Sequence, residues 1–145
     1  MLEVPVVRLD PDLPLPSYAR AGDAGADLRA RQGALLRAGG GRALVPTGLA
    51  LALPEGWAGL VQPRSGLALR HGVTCLNTPG LIDPGYRDEV RVLLVNTDPD
   101  DDYEVQRGDR IAQLVVQRVA SVAFRVCDSL PPTSRGTGGF GSTGR

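Results

Sequence analysis

The sequence predicts an all-β fold, a sandwich or barrel with one short helix, and three observations carry that expectation. Helical periodicity is scarce. Glycine and proline, 19 and 12 residues, are spread along the chain and cut it into short pieces. The pieces left between them are rich in Val, Leu and Ile with partial alternation, the pattern of half-buried strands. Many short strands without helical partners point to stacked or closed sheets.

Taken in order, "RALVPTGLALALP" (42–54) reads as extended and is closed by the turn Pro54-Glu55-Gly56. "GWAGLVQP" (56–63) follows as a strand. "SGLALRHG" (65–72) is the helix, about two turns long, with Ser65 where an N-cap belongs and Gly72 where a C-terminal glycine belongs. "TPGLIDPGYRDEV" (78–90) reads as a hairpin tip, because Pro79-Gly80 and Pro84-Gly85 bracket Leu81, Ile82 and Asp83. "EVRVLLVNT" (89–97), "RIAQLVVQRV" (110–119) and "VAFRVCD" (122–128) read as strands, separated by the acidic "TDPDDD" (97–102) and by Arg107-Gly108-Asp109. The last twelve residues, "SRGTGGFGSTGR" (134–145), hold five glycines and one apolar side chain, Phe140, and cannot fold alone. The expected organisation is one domain over 1–133 followed by a flexible arm over 134–145.

Composition excludes several function classes. The chain has 145 residues, enough to bury a core without staples, and a formal net charge of zero. No basic stripe announces nucleic acid, and no polybasic segment or long apolar run announces a membrane, so a cytoplasmic protein is expected. All 16 basic residues are arginine. That removes a Schiff-base lysine and a P-loop lysine together. The single histidine, His71, has no nucleophile elbow to serve, and a surface or packing role is expected for it. Cys75 and Cys127 lack metal-ligand spacing and read as buried free thiols. A hydrolase built from this chain would use a carboxylate base, with arginines and backbone amides on the phosphates.

Four stretches could do such work. Arg64, Ser65 and Gly66 stand where a strand enters the helix, and free amides, a hydroxyl and a guanidinium there make a phosphate cradle; a plain helix cap is the alternative. In "AGDAGADLRA" (21–30), Asp23 and Asp27 lie among small residues, and an acid there could hold a water of a Mg²⁺ shell or simply close a turn. Gln113 faces away from Ala112 and Leu114 and can donate to a phosphate oxygen or to solvent, while Arg110 could pair with an acid. Around 78–90 the main chain of Gly80, Leu81 and Ile82 can read a flat ring by its edge, Asn77 adds an amide of both polarities, and Tyr86 offers a face to a sugar. Asp83, with a reference pKa of about 3.9, is ionised at neutral pH and can take a proton from water.

Together "AGDAGADL", "PRSGLALRHGV", "NTPGLIDPGYRDEV", "RGDRIAQLVVQRV" and "SRGTGGFGSTG" closely resemble the ordered motifs of the trimeric dUTPase family, deoxyuridine triphosphate nucleotidohydrolases. The resemblance spans about residues 21 to 144. It implies a homotrimer of distorted jelly-roll barrels that hydrolyses dUTP to dUMP and pyrophosphate with Mg²⁺, keeping uracil out of DNA and supplying dUMP for thymidylate synthesis. It further implies that Asp83 activates a water toward the α-phosphorus and that Arg64, Ser65, Gly66, Gln113 and Arg135 hold phosphates. Asp27 would stand near the metal through water. Asn77, Gly80, Leu81 and Ile82 would hold uracil, Tyr86 the deoxyribose, and Phe140, on an arm from a neighbouring subunit, would stack on the base. Asp88 departs from the pattern, since a glycine is frequent there. Two rivals remain at this stage. A dCTP deaminase shares the fold but carries a catalytic glutamate where this chain has Leu93. A non-catalytic nucleotide-binding module on the same fold would keep the pocket without turnover.

Overall fold

The computed structural model describes residues 1–139. Eleven strands and one helix are present among them, and every strand pair is antiparallel. The strands are β1 (Val6–Arg8), β2 (Ala26–Arg29), β3 (Ala34–Leu36), β4 (Arg42–Pro46), β5 (Leu49–Leu51), β6 (Trp57–Gln62), β7 (Val73–Cys75), β8 (Gly80–Ile82), β9 (Arg91–Asn96), β10 (Tyr103–Val105) and β11 (Arg110–Arg118). They form a four-stranded sheet in the order β2-β11-β6-β8, a three-stranded sheet β4-β9-β7, and the pairs β1-β5 and β10-β3. This is the jelly-roll architecture expected of the sequence. Among the described residues no helix is long and apolar enough to cross a membrane.

The core follows from alternation. Ala26 and Leu28 of β2 point inward while Asp27 and Arg29 are half-buried. Leu28, Leu36, Val45, Val92, Leu94 and Ile111 are almost fully buried and knit the sheets together. Cys75 lies in this core, and burial pushes its thiol up to about 11. Cys127, by contrast, is exposed, contrary to expectation, because the chain has already left the body by that point.

The helix α1 (Ser65–His71) forms where expected, with one correction. Arg64 takes the extended N-cap conformation and Ser65 is the first helical residue; no side chain caps the end. Gly72 ends the helix at φ +62°, its N–H bonding back to Ala68 and Leu67. Only Leu67 is buried, and His71 is exposed with its ring 4.8 Å from that of Tyr103. The acidic run is spent on its own backbone: Asp98 accepts the N–H groups of Asp100 and Asp101, and Asp102 accepts from Ala38 N and Arg37. Those bonds hold the Asp98 and Asp102 carboxyls below their usual range.

Two further expectations change. Residues 42–54 divide into β4 and β5, because Thr47-Gly48 breaks the run, with Gly48 at φ +71°. Residues 122–128 form no strand; the chain leaves β6 after Val119 N–H bonds Gly56 O, and from there to residue 137 every residue is exposed.

Candidate active site

The first cluster sits on the outer face of the four-stranded sheet. Asp27, Gln113 and Gln62 lie in one row across β2, β11 and β6. The Asp27 carboxylate is held between two guanidinium groups, Arg64 Nε at 3.4 Å and Arg110 Nη1 at 3.2 Å. The ion-pair reading of Arg110 is thus realised, with Asp27 as the acid. Asp27 Oδ1 is buried and accepts no hydrogen bond. Arg64 also donates to Arg110 O at 3.1 Å, so the entrance to α1 is tied to the start of β11. Gly25 allows Gln113 to lie close: a Cβ on it would stand 3.1 Å from Gln113 Cβ. Ser65 and Gly66 follow directly at the start of α1, and the Arg70 guanidinium folds back over Gly66, 3.0 Å from where a Cβ would be. Arg64, Ser65, Gly66, Gln113 and Asp27 are therefore neighbours, as the family resemblance implied. Asp23 is not among them; it accepts Arg20 N–H at 2.8 Å in its own turn.

The second cluster arises where the chain passes between sheets. The stretch 78–90 is not a hairpin of two mutually paired strands, as expected. β8 pairs with β6, whereas β9 pairs with β4 and β7. Asp83 to Val90 turn the corner between them. β8 ends its sheet, so the main-chain groups on its outer side have no strand partner. A cavity of about 190 Å³ opens in this corner, and Asn77, Gly80, Leu81, Ile82 and Tyr86 all line it. Sequence reasoning missed Val61, Val90 and Arg91, which complete its walls together with Leu93, the residue named above at the deaminase's glutamate position. Only the pairing of β8 with β6 rather than β9 brings these together, and no local pattern encodes that choice. A Cβ on Gly80 would touch Val61 Cβ at 3.3 Å and Asn77 Nδ2 at 3.4 Å, so glycine keeps this side of the cavity open. Tyr86 O–H donates to Glu89 O at 2.8 Å, and Tyr86 N–H to Asp83 O at 3.1 Å. Asp83 itself is exposed and follows directly on Ile82 of the cavity wall.

The two clusters share a sheet but not a place. In register Asp83 leaves β8 opposite Ala58, four residues along β6 from Gln62, and β8 is three strands from β2. With about 4.8 Å between strands and about 3.3 Å per residue, Asp83 and Asp27 of one chain lie on the order of 20 Å apart. Arg135 meets neither cluster; its Nε donates to Gly138 O at 3.0 Å within the tail. Phe140 lies outside the described residues.

A jelly roll with a carboxylate-and-arginine cradle and a ring-sized corner pocket is the framework of a nucleotide hydrolase. The dUTPase family model matches residues 12–144. A curated relative, deoxyuridine 5'-triphosphate nucleotidohydrolase of Thermobifida fusca, is 57% identical over 143 residues, covering 99% of this chain and 79% of its own. Among solved structures, a Staphylococcus bacteriophage 80alpha dUTPase mutant with dUpNHpp superposes with a TM-score of 0.89 at 24% identity, over 100% of both chains. A dUTPase mutant from phage phi11 of S. aureus, described with a coordinated structural Mg(II) ion, gives 0.78 at 21% identity, over 88% of this chain and 98% of that one. The chain belongs to the dUTPase family; it is a hydrolase of nucleotide metabolism, of the dUTP diphosphatase class.

Proposed function

We propose that this protein hydrolyses dUTP to dUMP and pyrophosphate in the cytoplasm, keeping uracil out of DNA and supplying dUMP for thymidylate synthesis, and that each active site is shared between copies in a homotrimer. The observation that carries the reaction is the corner cavity. Its volume, about 190 Å³, is below the roughly 300 Å³ of a drug-sized site and suits one ring with its sugar. Main-chain groups on the side of β8 away from β6, with the Asn77 amide, match the donor and acceptor edge of uracil. Cytosine would leave buried polar groups unpaired at that edge, which is a costly mismatch. Tyr86 lies under the deoxyribose and leaves no room for a 2′-hydroxyl. Leu93, where a deaminase would carry its glutamate, is part of the pocket wall, which favours hydrolysis.

Asp83 orients and deprotonates the water that attacks the α-phosphorus. The Asp83 carboxylate, directly after the pocket-lining Ile82, is exposed and within reach of solvent. Ser65, the amide of Gly66, Gln113 and Arg64 hold the phosphate chain, and Arg135 and Phe140 close over it on the arm 134–145. No covalent intermediate is needed, since positioning and charge neutralisation suffice for phosphoryl transfer. The residues fit Mg²⁺ through its waters. Asp27 Oδ1 is buried beside the Arg64 guanidinium yet accepts no hydrogen bond, and the described residues hold no group of three acids, histidines or cysteines that would chelate a bare ion. Mg²⁺, when bound, supplies neutralisation of the triphosphate charge.

The case for sharing is geometric. A base must be within hydrogen-bond reach of its water, yet the cradle and Asp83 of one chain are on the order of 20 Å apart. A second copy has to bring the other half. The segment 122–128 supplies independent support: Val122, Phe124 and Val126 alternate at 67, 95 and 97% exposure, an apolar edge that a lone chain would not leave in water. Pyrophosphate release from dUTP and Mg²⁺ tests the reaction. Asp83→Asn should lower kcat by about 10²-fold or more with binding kept; wild-type turnover in that variant would remove Asp83 from its role.

A further inference from the structure

Glu89 is a buried acid that the reaction as described does not use. Its side chain is 10% exposed, and a carboxylate in such a place costs stability unless it is paired. Here it is paired on purpose-built groups. Its Oε1 accepts Gly48 N–H at 2.7 Å and lies 3.4 Å from Arg31 Nη1. The neighbouring backbone is fixed as well. Thr47 N–H and Thr47 Oγ1 both donate to Val90 O, at 3.1 and 2.7 Å, and Val90 N–H donates to Leu49 O at 2.7 Å. Asp88, the residue that stands where glycine is frequent, accepts Glu89 N–H at 2.7 Å. Residues 89 and 90 are thus held against the turn between β4 and β5 through the Glu89 carboxylate and both main-chain groups of Val90. Glu89 O is turned elsewhere and receives the Tyr86 phenol at 2.8 Å. Tyr86 is 39% exposed and lines the corner cavity, and among the described residues no other hydrogen bond fixes its ring.

We propose that Glu89 is a positioning residue for sugar discrimination: its carboxylate, locked to Gly48 and Arg31, immobilises the carbonyl that fixes the Tyr86 ring against the cavity. The inference rests on the reading of Tyr86 as the platform under deoxyribose. A tyrosine free to swing would admit a 2′-hydroxyl, so the selectivity of the pocket depends on a joint outside it. Glutamate is suited to the task because one oxygen meets both a backbone N–H and a guanidinium. Glutamine keeps the first contact and alanine keeps neither.

The test is the ratio of kcat/KM for dUTP over that for UTP in the full-length protein. Glu89→Ala lowers the ratio about tenfold, and Glu89→Gln holds it within about twofold, because the amide oxygen still accepts Gly48 N–H. Tyr86→Phe removes the same hydrogen bond from its other end and lowers the ratio to a similar degree. The double variant Tyr86→Phe/Glu89→Ala falls no further than either single one. An unchanged ratio in Glu89→Ala, even with a lowered melting temperature, overturns the proposal, as does additivity in the double variant. If Glu89→Ala does not fold, Tyr86→Phe decides alone, and an unchanged ratio there overturns it. Tyr86→Ala separates the two layers. A retained ratio in Tyr86→Ala brings down the sugar reading and this proposal together. A lost ratio in Tyr86→Ala beside an intact one in Glu89→Ala brings down only the positioning role.

Discussion

The two halves of the site are built in opposite ways. The cradle is made of charged side chains projecting from regular elements: Asp27 from β2, Arg110 and Gln113 from β11, and Arg64 at the mouth of α1. Its parts hold one another through two ion pairs, so the cradle exists before any ligand arrives. The corner pocket is made of a break in regularity. It exists because β8 and β9 belong to different sheets, and its polar groups are mostly main chain at an unpaired edge. In the function proposed above, the cradle takes up charge and the pocket takes up a ring edge. A nucleoside triphosphate needs both, and dividing the work keeps the paired charges on the sheet face and the ring-edge hydrogen bonds in the corner.

That division can be tested with substitutions confined to one half. The larger effect is expected in the pocket. Gly80→Val places a branched side chain against Val61 and Asn77, whose atoms already stand 3.3 and 3.4 Å from a bare Cβ. Overpacking of this kind costs about 1–3 kcal/mol, so dUMP and dUTP binding should both weaken by about tenfold to a hundredfold. Titration calorimetry with each nucleotide reads this out. Equal affinity to wild type would mean that the ring does not enter the corner.

A smaller and more selective effect is expected in the cradle. Gly25→Ala puts a methyl 3.1 Å from Gln113 Cβ and 3.5 Å from its Oε1, so the amide must shift by a few tenths of an ångström. The variant should lose about tenfold in kcat/KM for dUTP while binding dUMP through the pocket as before. Steady-state kinetics beside dUMP inhibition measures the contrast. An equal loss for both nucleotides would erase the distinction between the halves.

Legibility in the sequence divided along the same line. The cradle was readable because its residues lie within short local patterns, a strand entering a capped helix and an alternating strand with one polar residue facing out. Asp27, Gln113 and Arg64 were each singled out from their own segments, although their meeting in one place, the strand under Asp27 and the two-arginine clamp were not foreseen from them. The pocket was readable only as a set of residues. Its shape was not, because 78–90 carries the turn chemistry of a hairpin, while the pairing of β8 with β6 is decided by long-range packing of Ile82 against Gly59. For the same reason Val61, Val90 and Arg91 stayed hidden. The segment 122–128 shows the limit most clearly: it alternates like a strand, and within one chain it has nothing to pair with.

The central claim is that Asp83 of one copy serves the cradle of another, and complementation between two inactive variants tests it most directly. Asp83→Asn and Gln113→Ala, each purified and nearly inactive, are unfolded together and refolded so that mixed oligomers form. If the halves meet across copies, some sites combine an intact Asp83 with an intact cradle, and dUTP hydrolysis returns to a substantial fraction of wild type. If the mixed oligomers form, as mass spectrometry would establish, and remain as inactive as either parent, each site is built within one chain and the account is wrong.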